Sequence, residues 1–179
     1  MKGKKESKFF TIMEHEKEEL YLREKHKQGW KLVKAKGVGK YFFEECEPED
    51  VVYQLDYNQE GLADKEEYVK MYEDCGWEYI MNFWGYSYFR KPVAQMNGQE
   101  EIFCTDSSRL EMMERVFKGR MVPLLIGLSF ILLPQCFLCF TSYGNVALGI
   151  FFLIIMALYL NIFVQFFVKY SRYKKNTGN

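Results

Sequence analysis

The side chains able to do chemistry are few, and their spacing argues against catalysis. His15 and His26 stand 11 residues apart in a charged stretch. A metal or base pair on one helix needs them four apart, and no cysteine falls at zinc-ligand distance from either. Both histidines are expected as solvated side chains. Cys46, Cys75 and Cys104 are scattered, and reduced thiols are expected of them in a cytoplasmic segment. Cys136-x-x-Cys139 has a redox spacing but lies in an apolar run, where thiols pack as small apolar groups. Gly37-x-Gly39 lacks the third glycine and the following helix of a dinucleotide loop, and there is no phosphate-binding loop or nucleophile elbow. The acid pairs Glu44-Glu45 and Glu73-Asp74 read as solvated charge. No enzyme, no cofactor and no metal site is expected. What remains is aromatic. Trp30, Tyr41, Trp77, Trp84, Tyr86 and Tyr88 could line a concave ligand site, with Glu44 or Asp56 as polar contacts. The alternative is that the Gly29-Trp30 and Gly76-Trp77 pairs are structural. Glycine would then stop a helix, and tryptophan would fill the seam between helix and sheet.

These aromatic positions recur at a fixed offset. A shift of 47 residues superposes Glu19 on Glu66, Tyr21 on Tyr68, Gly29 on Gly76, Trp30 on Trp77, Tyr41 on Tyr88 and Phe42 on Phe89. Each copy, about 8–46 and 51–91, reads as strand–helix–strand–strand. In the first, a strand over Lys8 to Met13 precedes a helix over Glu14 to Gln28, with Glu18, Glu19, Lys25 and Lys27 expected exposed, and Trp30 to Ala35 and Lys40 to Cys46 form a hairpin. In the second, Val51 to Asn58 alternates apolar and polar residues, Asp64 to Cys75 is helical, and Trp77 to Phe83 and Tyr86 to Lys91 form the hairpin. The expected class is α+β: an antiparallel sheet with two helices, over residues 1–106.

The charge is unevenly spread. The formal net charge of zero offers no polybasic face for free nucleic acid. Yet residues 1–120 carry 20 Lys or Arg against 24 Asp or Glu, while residues 121–179 carry four cations and no acid. Two uncharged runs fill the second part, Met121 to Phe140 and Val146 to Val168. At about 1.5 Å per residue each can cross a hydrocarbon core of roughly 30 Å. They are joined by the short turn 141–145, which predicts an antiparallel hairpin. Arg115, Lys118 and Arg120 precede the first run, and Lys169, Arg172, Lys174 and Lys175 follow the second. The positive-inside rule therefore puts the N-terminal domain and the basic tail, 169–179, in the cytoplasm. Residues 107–120 are expected as a juxtamembrane amphipathic helix, opened by a Ser108-x-x-Glu111 capping box and bending at Gly119 or running on. Inside the spans, Ser129 and Asn161 lie level, so a hydrogen bond between the two helices is expected there, with close approach at Gly127. Gln135 would meet the backbone gap left by Pro134 or a second copy of the protein.

The run Gly29-Trp30-Lys31-Leu32, Lys40-Tyr41-Phe42-Phe43-Glu44, Val52-Tyr53-Gln54-Leu55-Asp56, Gly76-Trp77-Glu78 and Tyr88-Phe89-Arg90-Lys91, closing on Phe103-x-Thr105-Asp106-x-Ser108, is distinctive in combination. Over roughly residues 8–118 it resembles the bacterial family called domain of unknown function 2812. The resemblance implies a cytoplasmic domain followed by transmembrane helices, a Gram-positive source, and gene neighbours that encode PadR-like repressors. It assigns no catalytic residue. The repeated unit is also similar in topology to the small-molecule-binding domains of gyrase-inhibitor-like proteins. The chain is therefore expected to be a non-enzymatic, multi-pass membrane protein, regulatory or sensory. Its partners would be the lipid bilayer and a PadR-like regulator or another membrane protein, with a homo-oligomer open and no direct nucleic acid. The alternatives are a drug- or antibiotic-binding module held at the membrane, and an accessory subunit that packs through Gly127, Ser129 and Asn161.

Overall fold

The computed structural model describes residues 2–11, 14–58, 64–96, 106–142 and 144–177. The chain divides into two compact units, Met1–Cys104 and Thr105–Asn179.

The first unit is α+β. Strand β1 (Gly3–Ser7), helix α1 (His15–Lys27), β2 (Trp30–Lys36) and β3 (Lys40–Glu45) precede β4 (Val51–Tyr57), helix α2 (Lys65–Asp74), β5 (Glu78–Phe83) and β6 (Tyr86–Pro92). The strands form two antiparallel three-stranded sheets, ordered β1-β3-β2 and β4-β6-β5. Each hairpin carries a register slip, between Leu32 and Lys34 in one and between Tyr79 and Met81 in the other. Gly29 and Gly76 end the two helices in the left-handed region, at φ 82° and 80°. A Cβ at Gly29 would sit 3.0 Å from the Cys46 carbonyl oxygen, so this stop also needs the space.

Alternation along β4 and β6 gives the second sheet two different faces. On one, Trp77, Phe89, Val52 and Tyr79 pack against Tyr68, Val69 and Tyr72 of α2. The other carries Tyr53, Leu55, Tyr57, Tyr86 and Tyr88, and α1 covers it. Helix α1 also packs on the first sheet, where Tyr21 lies 5.9 Å from the ring of Tyr41 and 6.3 Å from Phe43. It is thus a middle layer. Leu22 is fully buried, and Arg23 forks onto Asp50 at 2.6 and 2.8 Å, fixing the approach to β4.

The first strand corrects the sequence reading. It is the polar Gly3–Ser7 and not Lys8 to Met13, of which Ile12 and Met13 lie outside the described residues. An edge strand is held by its ladder, here Lys5↔Phe42 and Glu6↔Tyr41, and needs no apolar side. The apolar Phe10 instead turns inward onto Tyr21 and Tyr41, at ring distances of 5.7 and 6.2 Å.

The second unit is two helices. The first runs as α3 (Asp106–Val116), α4 (Val122–Gly127) and α5 (Leu133–Thr141), joined by π-turns at Phe117–Met121 and Leu128–Leu132. It does not break at Gly119. A proline clashes with the carbonyl four residues back, here Gly119 for Pro123 and Phe130 for Pro134. Both carbonyls lie inside the π-turns, where the widened helix makes room for the ring. Helix α6 (Val146–Thr177) returns after Gly144, capped by Asn145 Oδ1, which accepts the Leu148 N–H at 3.1 Å. Its inner stripe is Gly149, Phe152, Met156, Tyr159, Phe163 and Phe166, a 3–4 alternation that keeps one seam on the partner helix. Cys136 and Cys139 are buried free thiols in that seam, and a Cβ at Gly149 would meet the Phe140 ring at 2.5 Å. Among the described residues, Leu110–Thr141 and Val146–Lys175 are long and apolar enough to cross a membrane. The capping-box side chain of Ser108 lies outside the described residues.

Gly37 and Gly39 share the β2–β3 turn, at φ 57° and 64°, but differ in surroundings. A Cβ at Gly39 would overlap the Lys8 carbonyl oxygen, whereas one at Gly37 meets nothing within 4 Å. Gly37→Ala should cost about 1 kcal/mol, the left-handed penalty alone. Gly39→Ala should cost about 3 kcal/mol, because the β1–β3 edge must also move. Thermal melts of the two variants check the ranking.

Candidate functional site

Two places in the first unit depart from an ordinary core. One is the inward face of α1. His15, Glu18, Leu22 and His26 recur every three or four residues and form one stripe, so the helix turns its polar side inward. The stripe meets tyrosines rather than aliphatic side chains. Glu18, 7% exposed, accepts at one oxygen from Tyr41 Oη of the first sheet at 2.7 Å and from Tyr88 Oη of the second at 2.6 Å. Tyr41 and Tyr88 are 47 residues apart, so corresponding side chains of the two sheets converge on one carboxylate. Burial pushes the Glu18 carboxyl above its ordinary range, and the two hydroxyls oppose that rise. Burial and the shared carboxylate also raise both phenols well above their ordinary value.

His26 is 6% exposed, with Nδ1 2.8 Å from Tyr53 Oη. The Leu32 N–H donates to the same Oη at 3.3 Å, so a neutral ring that accepts the Tyr53 proton at Nδ1 satisfies the group. Burial, then the Arg90 guanidinium, lowers His26 to about 4. His15, also 6% exposed, stacks on Tyr86 at 6.1 Å. The solvated reading of both histidines is thus corrected: α1 is covered on two sides, and its polar stripe has hydroxyl partners inside. Beside the stripe, Glu19 Oε1 accepts the Leu55 N–H at 2.8 Å and closes the free edge of β4. The second helix meets a buried acid of its own, Asp56 of β4, which accepts from Tyr68 at 2.8 Å and Tyr72 at 3.2 Å.

The structure does not bring the six aromatic candidates into one cleft. Tyr41, Tyr86 and Tyr88 are buried around α1. Trp77 lies on the opposite face of the second sheet, against Tyr68 and Phe89. Trp30 is half-buried, with Lys4 Nζ 5.3 Å above its ring. Of the polar contacts, Glu44 pairs with Lys31 at 3.5 Å and Asp56 is engaged by the tyrosines.

Trp84 is the second unusual place. It is 56% exposed, and at φ 53° it is the one non-glycine residue with positive φ among those described. Its indole N–H donates to the Gly37 carbonyl at 3.1 Å, tying the tip of one hairpin to the tip of the other. Residues 37 and 84 are again 47 apart, so the two turns meet at corresponding positions. Around them Val38 is 66% exposed and Phe9 67%, while Lys8, Lys36 and Lys40 are exposed cations. Phe9, Val38 and Trp84 are thus exposed apolar side chains at or beside the hairpin tips, with exposed lysines next to Phe9 and Val38 in the chain. Sequence reasoning named Trp84 but missed Phe9 and Val38. The signal for Val38 was an apolar residue between two turn glycines, and Phe9 carried none.

In the second unit, Gly127, Ser129 and Asn161 are not in the seam. Nothing lies within 4 Å of a Cβ at Gly127, and Ser129 and Asn161 are exposed. Asn161 Oδ1 accepts from Gln165 Nε2 on its own helix, in place of the expected bond to Ser129. The 3–4 stripe turns Phe163 and Phe166 inward and leaves Asn161 outside. Among the described residues no cluster of three His, Cys, Asp or Glu could hold a metal ion.

An α+β unit of two three-stranded sheets, followed by two long apolar helices, is the class these elements define. The chain belongs to the family described as "Protein of unknown function (DUF2812)", whose model matches residues 14–125. No curated protein and no solved structure matches the chain.

Two outcomes follow for the stripe. Glu18→Ala leaves two buried hydroxyls without their acceptor and should cost about 3 kcal/mol, whereas Glu18→Gln keeps an acceptor oxygen and should cost under about 1.5 kcal/mol. Chemical denaturation of the variants measures both. For His26, the unfolded chain takes up a proton near 6.5 and the folded chain only near 4. Stability should therefore fall as pH drops from 6.5 to 4, by up to roughly 3 kcal/mol from this group. His26→Gln should flatten that part of the stability–pH curve.

Proposed function

We propose that the chain is a non-enzymatic regulatory protein held in the cytoplasmic membrane, with its α+β domain in the cytoplasm receiving a protein partner at the hairpin tips. The exposed Trp84, fixed on Gly37 and flanked by Phe9 and Val38, is the observation that carries this reading. A large aromatic held in a strained, solvent-facing conformation costs stability, and such residues are enriched where proteins bind one another. Tyr41, Trp77, Tyr86 and Tyr88 are buried in the core and Trp30 is half-buried under Lys4, which favours a surface over an enclosed drug site. The membrane part rests on two helices of sufficient length, with Arg115, Lys118, Arg120, Lys169, Arg172, Lys174 and Lys175 at one end of the hairpin and an uncharged turn at the other. That charge distribution favours two spans with both termini cytoplasmic. We read the matched bulges, glycines and tyrosines as an internal duplication, and its pseudo-twofold as the reason the two tips meet. The resemblance supplies the candidate partner, a PadR-like repressor of a Gram-positive bacterium. That repressor would be drawn to the membrane or released from it, and the protein itself would not touch nucleic acid.

A photo-cross-linking amino acid in place of Trp84, in the full chain in native membranes, tests this. The expected adduct contains a PadR-like repressor, and the same probe in place of Trp77 gives none. Trp84→Ala should abolish co-purification while the melting temperature stays within about 3 °C, as for a surface residue. Adducts with lipid alone would overturn the protein-partner reading. A melting shift with lipophilic cations that is lost in Trp84→Ala would replace it with small-molecule binding.

A further inference from the structure

The outer face of α6 carries an amide pair in the middle of an apolar span. Asn161 lies about 12 Å along the helix from Lys169, inside the hydrocarbon if the helix spans a bilayer. Asn161 and Gln165 are both exposed, on the side away from the buried Phe163 and Phe166. Gln165 Nε2 donates to Asn161 Oδ1. This bond fixes the two side chains together and uses one donor and one acceptor. The Asn161 Nδ2 donors and the Gln165 Oε1 acceptor keep their capacity. Ala157 stands one turn earlier on the same face, and Leu158 and Val164 flank the stripe.

We propose that this face binds a second copy of the chain, with the two α6 helices parallel and the Asn161–Gln165 pairs meeting across a two-fold axis. Lipid tails cannot hydrogen-bond an amide, and the cationic end of the helix is about 12 Å from Asn161 and about 6 Å from Gln165. Water is absent at that depth, so only another protein can complete the bonding. A second copy fits for two reasons. The cations at one end of the hairpin orient every copy alike, which puts Asn161 of each at the same depth. An amide pair with a spare donor and a spare acceptor is also complementary to itself, as an isologous interface requires. Ala157 lets the backbones approach. The inference rests on the membrane reading above.

The test uses the full chain reconstituted in phosphatidylcholine–phosphatidylglycerol vesicles, one fluorophore per chain, read by single-molecule photobleaching as protein density is varied. The wild type should bleach in two steps at high density. Asn161→Leu/Gln165→Leu should weaken the dimer about tenfold or more, the effect of roughly 1.4 kcal/mol of interhelical hydrogen bonding. Leucine keeps the span helical and apolar, so an unchanged melt of the α+β unit shows a folded protein. Leu158→Cys should also cross-link between copies under mild oxidation, above the background of the native thiols, whereas Met156→Cys in the seam should not. A chain that fails to float with the vesicles overturns the membrane reading and this inference together. A chain that floats but bleaches in single steps, or a dimer unmoved by the double substitution, overturns the dimer alone.

Discussion

The first unit depends on one carboxylate. Glu18 accepts hydrogen bonds from both sheets, through Tyr41 and Tyr88. A buried carboxylate costs several kcal/mol unless its lone pairs are used, and a buried tyrosine hydroxyl carries a similar penalty on a smaller scale. Each group is tolerable here because the others are present. This coupling fixes the rotation of α1, since a turn of the helix in either direction would strand the acid and both phenols. With α1 fixed, Leu22 enters the core, His26 reaches Tyr53 and Glu19 closes the edge of β4. The middle layer is therefore specified by polar groups more than by apolar area.

The correspondence of positions 47 apart that brings Tyr41 and Tyr88 together at one level brings the hairpin turns together at another. Arg90 links the sheets between those levels, reaching the Leu32 carbonyl at 3.4 Å while it forks onto Glu78. The Ala35 N–H meets Met81 Sδ at 3.1 Å. Held this way, the turns cannot splay, and the Trp84–Gly37 bond becomes a fixed feature of the surface. A rigid base under an exposed aromatic lowers the ordering cost of binding.

The helical unit solves a different problem. Two prolines 11 residues apart, about three turns, would break a regular helix. The π-turns at 117–121 and 128–132 absorb both rings and keep the chain helical from Asp106 to Thr141. The small Gly149 lets Phe140 seat against α6. Aromatic side chains then fill the seam toward the other end, where Phe117 and Phe166 meet at 5.4 Å.

The amino-acid sequence determined the parts with a strong local period or local chemistry. The α+β class, the glycine stops at Gly29 and Gly76 and the two apolar helices were all legible, because each rests on residues near one another in the chain. Tertiary structure decided what faces what. A charged helix such as α1 reads as solvated, since nothing in its own residues reveals that a second sheet covers its polar stripe. That is why His15, Glu18 and His26 read as exposed from the sequence and are buried in the fold. The first strand was misread because an edge ladder is a backbone property that Gly3–Ser7 does not advertise. Ser129 and Asn161 share a depth, and depth is computable from sequence. Which way each points depends on the seam chosen by Gly149, Phe163 and Phe166. The aromatic candidates were identified by type, but only the packing of the two sheets separated a core residue such as Trp77 from the exposed Trp84. Burial is a property of the assembled layers and not of the residue.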